Sequence, residues 1–187
     1  MADGFRTSDG AAARLTALLG PWWRRLGGEP PACAIIPASA LPDAVRPLLD
    51  HRGSMTLTLE AHWRDALSVR RLAEADEDGR HTRASVLHTA AGGLAVELAV
   101  IRMVLSALPA DLHGAFRAAE VPFGRLLASH GIAFAAEPLA FFRMEADRVA
   151  AAHGRVAVET PLHGRLNRIV TPEGVELCEV VEIVLRV

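Results

Sequence analysis

Two long apolar runs, joined by a short segment with two glycines, constrain the fold of this chain more than any other feature of its sequence. The stretch TRASVLHTAAGGLAVELAVIRMVL, residues 82–105, carries no charged side chain other than Arg83, Glu97 and Arg102. The glycines at its middle can adopt the positive φ angles that tight turns require. The sequence therefore predicts a hairpin of two long, mostly buried β-strands around this turn.

The length of the apolar region, residues 90–110, also raises the alternative of a membrane span. Glu97 and Arg102 lie near its centre, and a charged side chain is costly in lipid, so we expect no span. The first residues lack the apolar segment of a signal peptide. Cys33 and Cys178 fit neither a zinc spacing nor a disulfide framework, which is typical of a reducing compartment. We therefore expect a cytoplasmic protein with no membrane partner.

Composition excludes several classes of function. With 187 residues, of which 51% are hydrophobic, the sequence predicts a single folded domain over residues 1–187. The net charge of -2 gives no sign of a nucleic-acid partner, and the residues ahead of the first predicted strand lack the pattern of a basic recognition helix. All 20 cations are arginine, which excludes Schiff-base chemistry on lysine. None of the 8 histidines lies at metal-ligand spacing, so no metal site is expected.

Hydrophobic periodicity predicts helices and strands in a defined order. Residues 1–40 predict a short helix that Gly20 and Pro21 end, followed by an irregular stretch rich in glycine and proline. SMTLTLEAHW, residues 54–63, alternates apolar and polar residues and predicts a strand. A second strand precedes the hairpin, a helical stretch split near Pro122 follows it, and three further strands complete the chain. This order indicates an α+β fold with one antiparallel sheet.

The closing segment LCEVVEIVLRV, residues 177–187, places one carboxylate on each face of a predicted strand. Glu179 shares one face with aliphatic residues, and Glu182 shares the other. Burying an unpaired carboxylate is costly, so each acid needs a partner, solvent or a proton. From pattern alone, a solvated edge strand or an ion pair with arginine inside the sheet is the favoured interpretation, because structural ion pairs are commoner than functional sites.

Four segments, taken in order, resemble signature segments of the chorismate pyruvate-lyases. GSMTLTLE at 53–60 is similar to the Ser-Met-Thr strand opening of that family, and TRASVLHTAAGG at 82–93 to its arginine-bearing strand and turn. VPFGRLLASHGI at 121–132 resembles its Pro-Leu-Gly-Arg helix. NRIVTPEGVELCEVVEIVL at 167–185 resembles its closing hairpin. The resemblance covers residues 41–187 and leaves the first forty residues poorly matched.

The resemblance implies a fold, a reaction and a set of residues. Family members fold as a six-stranded antiparallel sheet with helices packed on one side, and they convert chorismate to 4-hydroxybenzoate and pyruvate without metal or cofactor. If the roles of the family's residues are transferred to the matching positions of this chain, Arg83 would bind a substrate carboxylate, and Glu182 would act as general acid in an apolar pocket. The backbone amide of Phe123 would meet the ligand, and Met55 would line the pocket. We therefore expect a carbon–oxygen lyase for a carboxylated small molecule.

Other interpretations stay open at this point. Where the lyases often carry a Gly-Arg pair, this chain has Glu97-Leu98, which removes a cation from a site for a dianion. One alternative is therefore a family member that acts on a different carboxylated metabolite. Another is a non-catalytic small-molecule-binding domain related to the effector domains of bacterial transcription regulators, which share the fold. The sequence also leaves open the oligomeric state, and whether Trp22 and Trp23 pack in the core or cover the pocket.

Overall fold

The computed structural model describes the backbone of residues 3–187 and the side chains of residues 10–187. Within this range the strands are β1 (Cys33–Ile36), β2 (Leu67–Glu77), β3 (Arg80–Thr89), β4 (Ala95–Val104), β5 (Ala135–Glu145), β6 (Pro161–Val170) and β7 (Glu176–Val184). The α-helices are α1 (Asp3–Arg25), α2 (Arg46–Leu49), α3 (Met55–Trp63), α4 (Leu112–Ala118), α5 (Phe123–Ser129) and α6 (Arg148–Gly154).

All seven strands form one antiparallel sheet in the order β1-β5-β6-β7-β4-β3-β2. The predicted hairpin is present as β3 and β4, with Leu87 opposite Glu97. The predicted closing hairpin is present as β6 and β7, with Arg165 opposite Glu182. The predicted fold class, α+β with a single antiparallel sheet, is confirmed, and the sheet has one strand more than the six expected.

Alternation along the strands gives the sheet two different faces. One face packs against α1 and α6, through Trp23 of α1 and Val149 of α6. The other face, which we call the cavity face, carries Ile101 of β4 and Val180 of β7 and lies beneath α3, α4 and α5. Helices α2 to α5 thus lie together on one side of the sheet.

Residues 54–63, predicted as a strand, form the helix α3 instead. The hydroxyl oxygen of its N-cap, Ser54, accepts a hydrogen bond from the backbone N–H of Leu57 at 3.3 Å. Met55 and Leu59 are buried one turn apart, whereas Leu57 is 41% exposed. Alternation alone could not separate the two structures, because Met55 and Leu59 share a face in a helix as well as in a strand.

The prediction that Gly20 and Pro21 end the first helix is wrong, because α1 continues through both residues to Arg25. Trp22 and Trp23 follow them and are 5% and 0% exposed. The Trp23 indole N–H donates to Oδ2 of Asp147 at 2.6 Å. Burial of two indole rings outweighs the roughly 3 kcal/mol that an interior proline costs a helix. Because α1 lies on the face opposite the cavity, both tryptophans pack in the core and do not cover the pocket.

The remaining elements are short. The helical stretch after the central hairpin splits into α4 and α5 before Phe123, as predicted near Pro122. The strand β1 lies in the stretch predicted to be irregular, and α6 lies where no element was predicted. The side chain of Asp147 caps α6 by accepting a hydrogen bond from the backbone N–H of Ala150 at 2.9 Å. No helix within residues 3–187 combines the length and the apolar character that a membrane crossing would need.

Gly164 of β6 is a position where the sheet leaves no room for a side chain. A Cβ there would lie 2.5 Å from the carbonyl oxygen of Glu182 and 2.5 Å from Cζ of Phe142. We expect Gly164→Ala to lower the free energy of unfolding by about 1–3 kcal/mol, because a paired strand and a buried ring would both have to shift. Urea unfolding followed by circular dichroism measures this loss.

Gly114→Ala in α4 is the matched control. Its Cβ would contact nothing within 4 Å, and alanine favours a helix over glycine. The free energy of unfolding should stay the same or rise by up to about 1 kcal/mol. Equal losses in the two variants would contradict the close packing around Gly164.

Candidate functional site

A cavity of about 70 Å³ opens between the cavity face and the helices α3 and α5. Its walls are mostly apolar, with side chains such as Met55, Leu87, Ile101, Phe123 and Phe134. Its polar and charged lining residues are Ser54, Thr56, Arg83, Ser85, Glu97 and Glu182. An apolar cavity with a few convergent polar groups is the usual form of a small-molecule site.

All four residues carried across from the resemblance line this cavity. Arg83 lies on β3 and Glu182 on β7, while Met55 begins α3 and Phe123 begins α5. The strands β3 and β7 flank β4, so residues almost a hundred positions apart reach the same face of the sheet. Their proximity supports a shared site, and the roles assigned to them stay predictions.

Arg83 is a buried cation in the cavity wall. The residue is 2% exposed, and its Nη1 donates to the carbonyl oxygen of Phe116 at 2.7 Å. Its Cζ atom lies 4.7 Å from the centre of the Phe116 ring, and the Phe123 ring packs edge-on against Phe116 with 5.3 Å between ring centres. The Nε–H of Arg83 is buried and has no hydrogen-bond partner among the described residues.

No described carboxylate forms an ion pair with Arg83. Glu74 lies opposite it in the register of β2 and β3, but Oε2 of Glu74 accepts from Nη1 of Arg71 at 3.0 Å. Burial, followed by the positive charge of Arg71, lowers the pKa of Arg83 to about 10, and the negative charge of Glu74 acts against that shift. The guanidinium therefore stays charged at neutral pH. Arg83 therefore lacks the counterion that a buried charge ordinarily has.

Glu182 has a partner that the sequence analysis did not identify. Arg165 of β6 is 0% exposed, and its Nε lies 2.5 Å from Oε2 of Glu182. The amide nitrogen of Asn167 donates to the same oxygen at 3.4 Å. Nη1 of Arg165 donates to the carbonyl oxygens of Leu49 and His51 at 2.7 and 3.0 Å. The ion pair that pattern alone favoured is therefore present at Glu182, in the wall of the cavity.

The register of the closing hairpin creates this pair, and counting along the sequence does not predict it. Val170 lies opposite Glu176, which centres the turn on Glu173, and equal steps outward from there would bring Gly164 opposite Glu182. A register shift between Ile169 and Val170 brings Arg165 opposite Glu182 instead.

Glu97 is the second carboxyl group of the cavity. The residue is 2% exposed, and its Oε2 is buried without a hydrogen-bond partner among the described residues. Burial and the neighbouring Glu182 raise the pKa of Glu97, while Arg165 acts against that rise. Leu98, the other half of the pair that replaces Gly-Arg, packs in the core on the opposite face. Of that pair, only Glu97 faces the cavity.

Glu179 lies on the face opposite Glu182 and is also paired. Arg102 of β4 donates a hydrogen bond to its Oε2, and Nε of Arg14 in α1 lies 3.2 Å from its Oε1. The strand β7 lies between β4 and β6 and is not an edge strand. Of the two interpretations open for the closing acids, the ion pair is therefore right, and the solvated edge strand is wrong.

Comparisons with known proteins identify the fold and no family. No protein-family model matches the sequence, and no curated protein matches it. The structure is similar to that of PhnF from Mycobacterium smegmatis, with a TM-score of 0.54 and 17% identity over 71% of this chain and 63% of that chain. The chain thus spans less than two thirds of the PhnF chain. The effector domain of PhnF matches with a TM-score of 0.52 and 17% identity, over 71% of this chain and 88% of that one.

A GntR-family transcriptional regulator from Bacillus cereus matches with a TM-score of 0.44 and 8% identity, over 64% of this chain and 91% of that chain. The likeness to PhnF, at 17% identity, shows the fold alone. This chain has the chorismate lyase-like fold. The resemblance implied the same fold. A shared fold does not establish the activity or the ligand of this protein.

Removing the negative charge of Glu182 should destabilise the protein. Glu182→Gln would leave the guanidinium of Arg165, which is 0% exposed, without its counterion. We expect a loss of about 3 kcal/mol in the free energy of unfolding, since removing one partner of a buried pair leaves the other charge buried without a counterion. Urea unfolding measures the change.

Glu137→Gln is the control, because Glu137 pairs with Arg168 at the surface, where their side chains are 29% and 40% exposed. Its stability should change by less than about 1 kcal/mol. If Glu182→Gln were as stable as this control, the contribution of the pair with Arg165 to the free energy of unfolding would be contradicted.

Proposed function

We propose that this protein binds a small organic acid in the cavity, with the carboxylate of the ligand on Arg83. The observation that carries the proposal is a buried guanidinium that has no described counterion and borders a cavity. Charged side chains are rarely buried unless they are paired. A ligand carboxylate would supply the missing negative charge.

The free edge of the Arg83 guanidinium suits a carboxylate. Nη1 is occupied by the carbonyl oxygen of Phe116, which leaves Nε and Nη2 as two parallel donors on one side. Paired donors of this kind bind both oxygens of a carboxylate and fix its orientation. The guanidinium also packs over the ring of Phe116, with 4.7 Å between Cζ and the ring centre, which helps to fix its position.

The apolar walls suit the rest of such a ligand. Met55 and Phe123 from the helices face Leu87 and Ile101 from the sheet across the cavity. An aromatic or aliphatic body would gain roughly 25 cal/mol for each Å² of apolar surface that these side chains remove from water. The predicted roles of Met55 and Phe123 as pocket residues belong to this proposal.

Two observations favour binding over turnover. The fold is shared with the effector domain of PhnF, a likeness that supports a ligand-binding role. The second observation is the ion pair of Glu182, because its Oε2 already accepts hydrogen bonds from Nε of Arg165 at 2.5 Å and from the amide nitrogen of Asn167 at 3.4 Å, and so is engaged within the protein. Glu182 is therefore better suited to holding Arg165 than to delivering a proton.

A second candidate is the lyase reaction on chorismate. The presence of two carboxyl groups, Glu97 and Glu182, in the same cavity as Arg83 favours it. Expulsion of enolpyruvate requires a delivered proton and a lost ring hydrogen, and carboxyl groups can serve both steps. In this candidate Arg83 binds a carboxylate of the substrate and Glu182 is the general acid, as the resemblance implies.

Loss of the Arg83 charge should weaken binding strongly without unfolding the protein. We expect Arg83→Met to weaken the affinity for 4-hydroxybenzoate by about a hundredfold, as loss of a charge-assisted, desolvated contact predicts. Its free energy of unfolding should not fall, because the variant removes an unpaired buried charge. Isothermal titration calorimetry measures the affinity and urea unfolding the stability.

Arg143→Met is the control, since Arg143 pairs with Glu145 at the surface and its side chain is 53% exposed. It should bind 4-hydroxybenzoate like the wild type. If Arg83→Met bound equally well, the anion site would lie elsewhere. If it unfolded instead, Arg83 would be a structural residue.

Chorismate separates the two candidate functions. We expect 4-hydroxybenzoate to raise the melting temperature of the protein, and we expect no release of pyruvate from chorismate, since the site has a free cation whereas Oε2 of Glu182 is engaged by Arg165. Coupled assay of pyruvate, with chromatography of 4-hydroxybenzoate, measures turnover. Release of both products in equal amounts, lost in Glu182→Gln while the variant stays folded, would replace the binding proposal with the lyase.

A further inference from the structure

The cavity face contains two carboxyl groups and only one guanidinium within reach of them among the described residues. Glu182 lies opposite Ala99 of β4, so Glu97 is its diagonal neighbour, with roughly 7 Å between their backbone positions. The guanidinium is that of Arg165, and its Nε is used by Glu182 while its Nη1 is used by two backbone carbonyls. No described side chain donates a hydrogen bond to Oε2 of Glu97, which is buried.

Other charged groups on this side do not compensate Glu97. His51 follows α2 and lies near Arg165, and burial with the charge of Arg165 lowers its pKa. His163 of β6 is opposite Val184, which in turn is opposite Glu97, and burial lowers the pKa of His163 as well. Both imidazoles are therefore neutral at pH 7, and burial beside Glu182 raises the pKa of Glu97.

Glu97 and Arg83 lie at opposite ends of the cavity. Leu87 is opposite Glu97, and Arg83 is four residues further along β3 on the same face, which separates the two backbone positions by roughly 13 Å. Between them the floor consists of Ser85 and Ala99, which are opposite each other. These two small side chains leave the space that the cavity occupies.

We propose that Glu97 acts as a neutral hydrogen-bond donor at the end of the cavity away from Arg83. The site then takes a monocarboxylate that carries an uncharged oxygen, such as a hydroxyl or carbonyl, at its far end, and it rejects a dicarboxylate. This inference rests on the proposed binding of an acid by Arg83. A carboxylate at the far end would meet a buried acid with no cation beside it, an arrangement that is strongly unfavourable.

Three probes of one shape test the ligand class. Isothermal titration calorimetry compares 4-hydroxybenzoate, benzoate and terephthalate, which differ only in the group opposite the common carboxylate. We expect the wild type to bind 4-hydroxybenzoate about tenfold more tightly than benzoate, for one hydrogen bond, and about a hundredfold more tightly than terephthalate. Terephthalate binding as tightly as 4-hydroxybenzoate would overturn the inference.

Two variants test whether Glu97 makes the distinction. Glu97→Leu removes the donor at similar volume and should bind 4-hydroxybenzoate and benzoate with equal affinity. Glu97→Gln keeps an uncharged donor and should retain part of the preference. Glu137→Gln, outside the cavity, should retain all of it. If Glu97→Leu still bound 4-hydroxybenzoate more tightly than benzoate, another residue would contact the hydroxyl group at the far end of the cavity.

A readout without ligand separates this inference from the proposed function. Infrared spectroscopy at pH 7 should show the carbonyl stretch of a protonated carboxyl group in the wild type, and Glu97→Gln should lack it. Absence of that band would overturn the inference even where Arg83 binds the acids. If the band is present and none of the probes binds the wild type, the proposed function fails, and the ligand class inferred from it fails with it.

Discussion

The ion pair between Arg165 and Glu182 determines how charge is distributed over the cavity face. It joins the two strands of the closing hairpin, and Nη1 of Arg165 donates hydrogen bonds to the carbonyl oxygens of Leu49, at the end of α2, and of His51. A guanidinium that is 0% exposed is stable only with these partners in place. Because the pair is satisfied within the protein, it is a structural element of the pocket wall.

Two charged or ionisable groups of the described cavity have no oppositely charged partner. Arg83 lacks a counterion because Glu74, opposite it, is engaged by Arg71. Glu97 lacks a cation because Arg165 is engaged by Glu182. The unpaired cation calls for an anion, and the unpaired acid is most stable when it carries a proton. A ligand with a carboxylate at one end and a neutral oxygen at the other would satisfy both groups.

Sequence periodicity predicted the sheet well and the helices less well. The two hairpins follow from apolar runs interrupted by glycine or proline turns, so their strands could be placed closely. The assignment of residues 54–63 failed because one spacing of apolar residues fits a strand and a helix alike, and only the Ser54 cap separates them. The end of α1 was misplaced because the burial of Trp22 and Trp23 is a tertiary effect that outweighs the local effect of Pro21.

The sequence predicted residues that line the candidate site, but it did not predict how the charged groups of the site are paired. The resemblance placed Met55, Arg83, Phe123 and Glu182 together, and they line one cavity. Arg165 could not be identified as the partner of Glu182, because a register shift between Ile169 and Val170 decides which residue of β6 lies opposite it. Arg83 has no described counterion because the side chains of Glu74 and Arg71 pair with each other after the register shift in β2. No sequence pattern predicts this pairing.

The central claim is that the free edge of Arg83 is reserved for the carboxylate of a ligand. Nitrogen-15 NMR of the arginine Nε–H groups tests it directly, with the Arg83 signal assigned by its absence in Arg83→Met. Addition of 4-hydroxybenzoate should shift this signal to a saturating value and leave that of the surface residue Arg143 in place. An Arg83 signal that does not move at any concentration, in a protein that remains folded, would contradict the account.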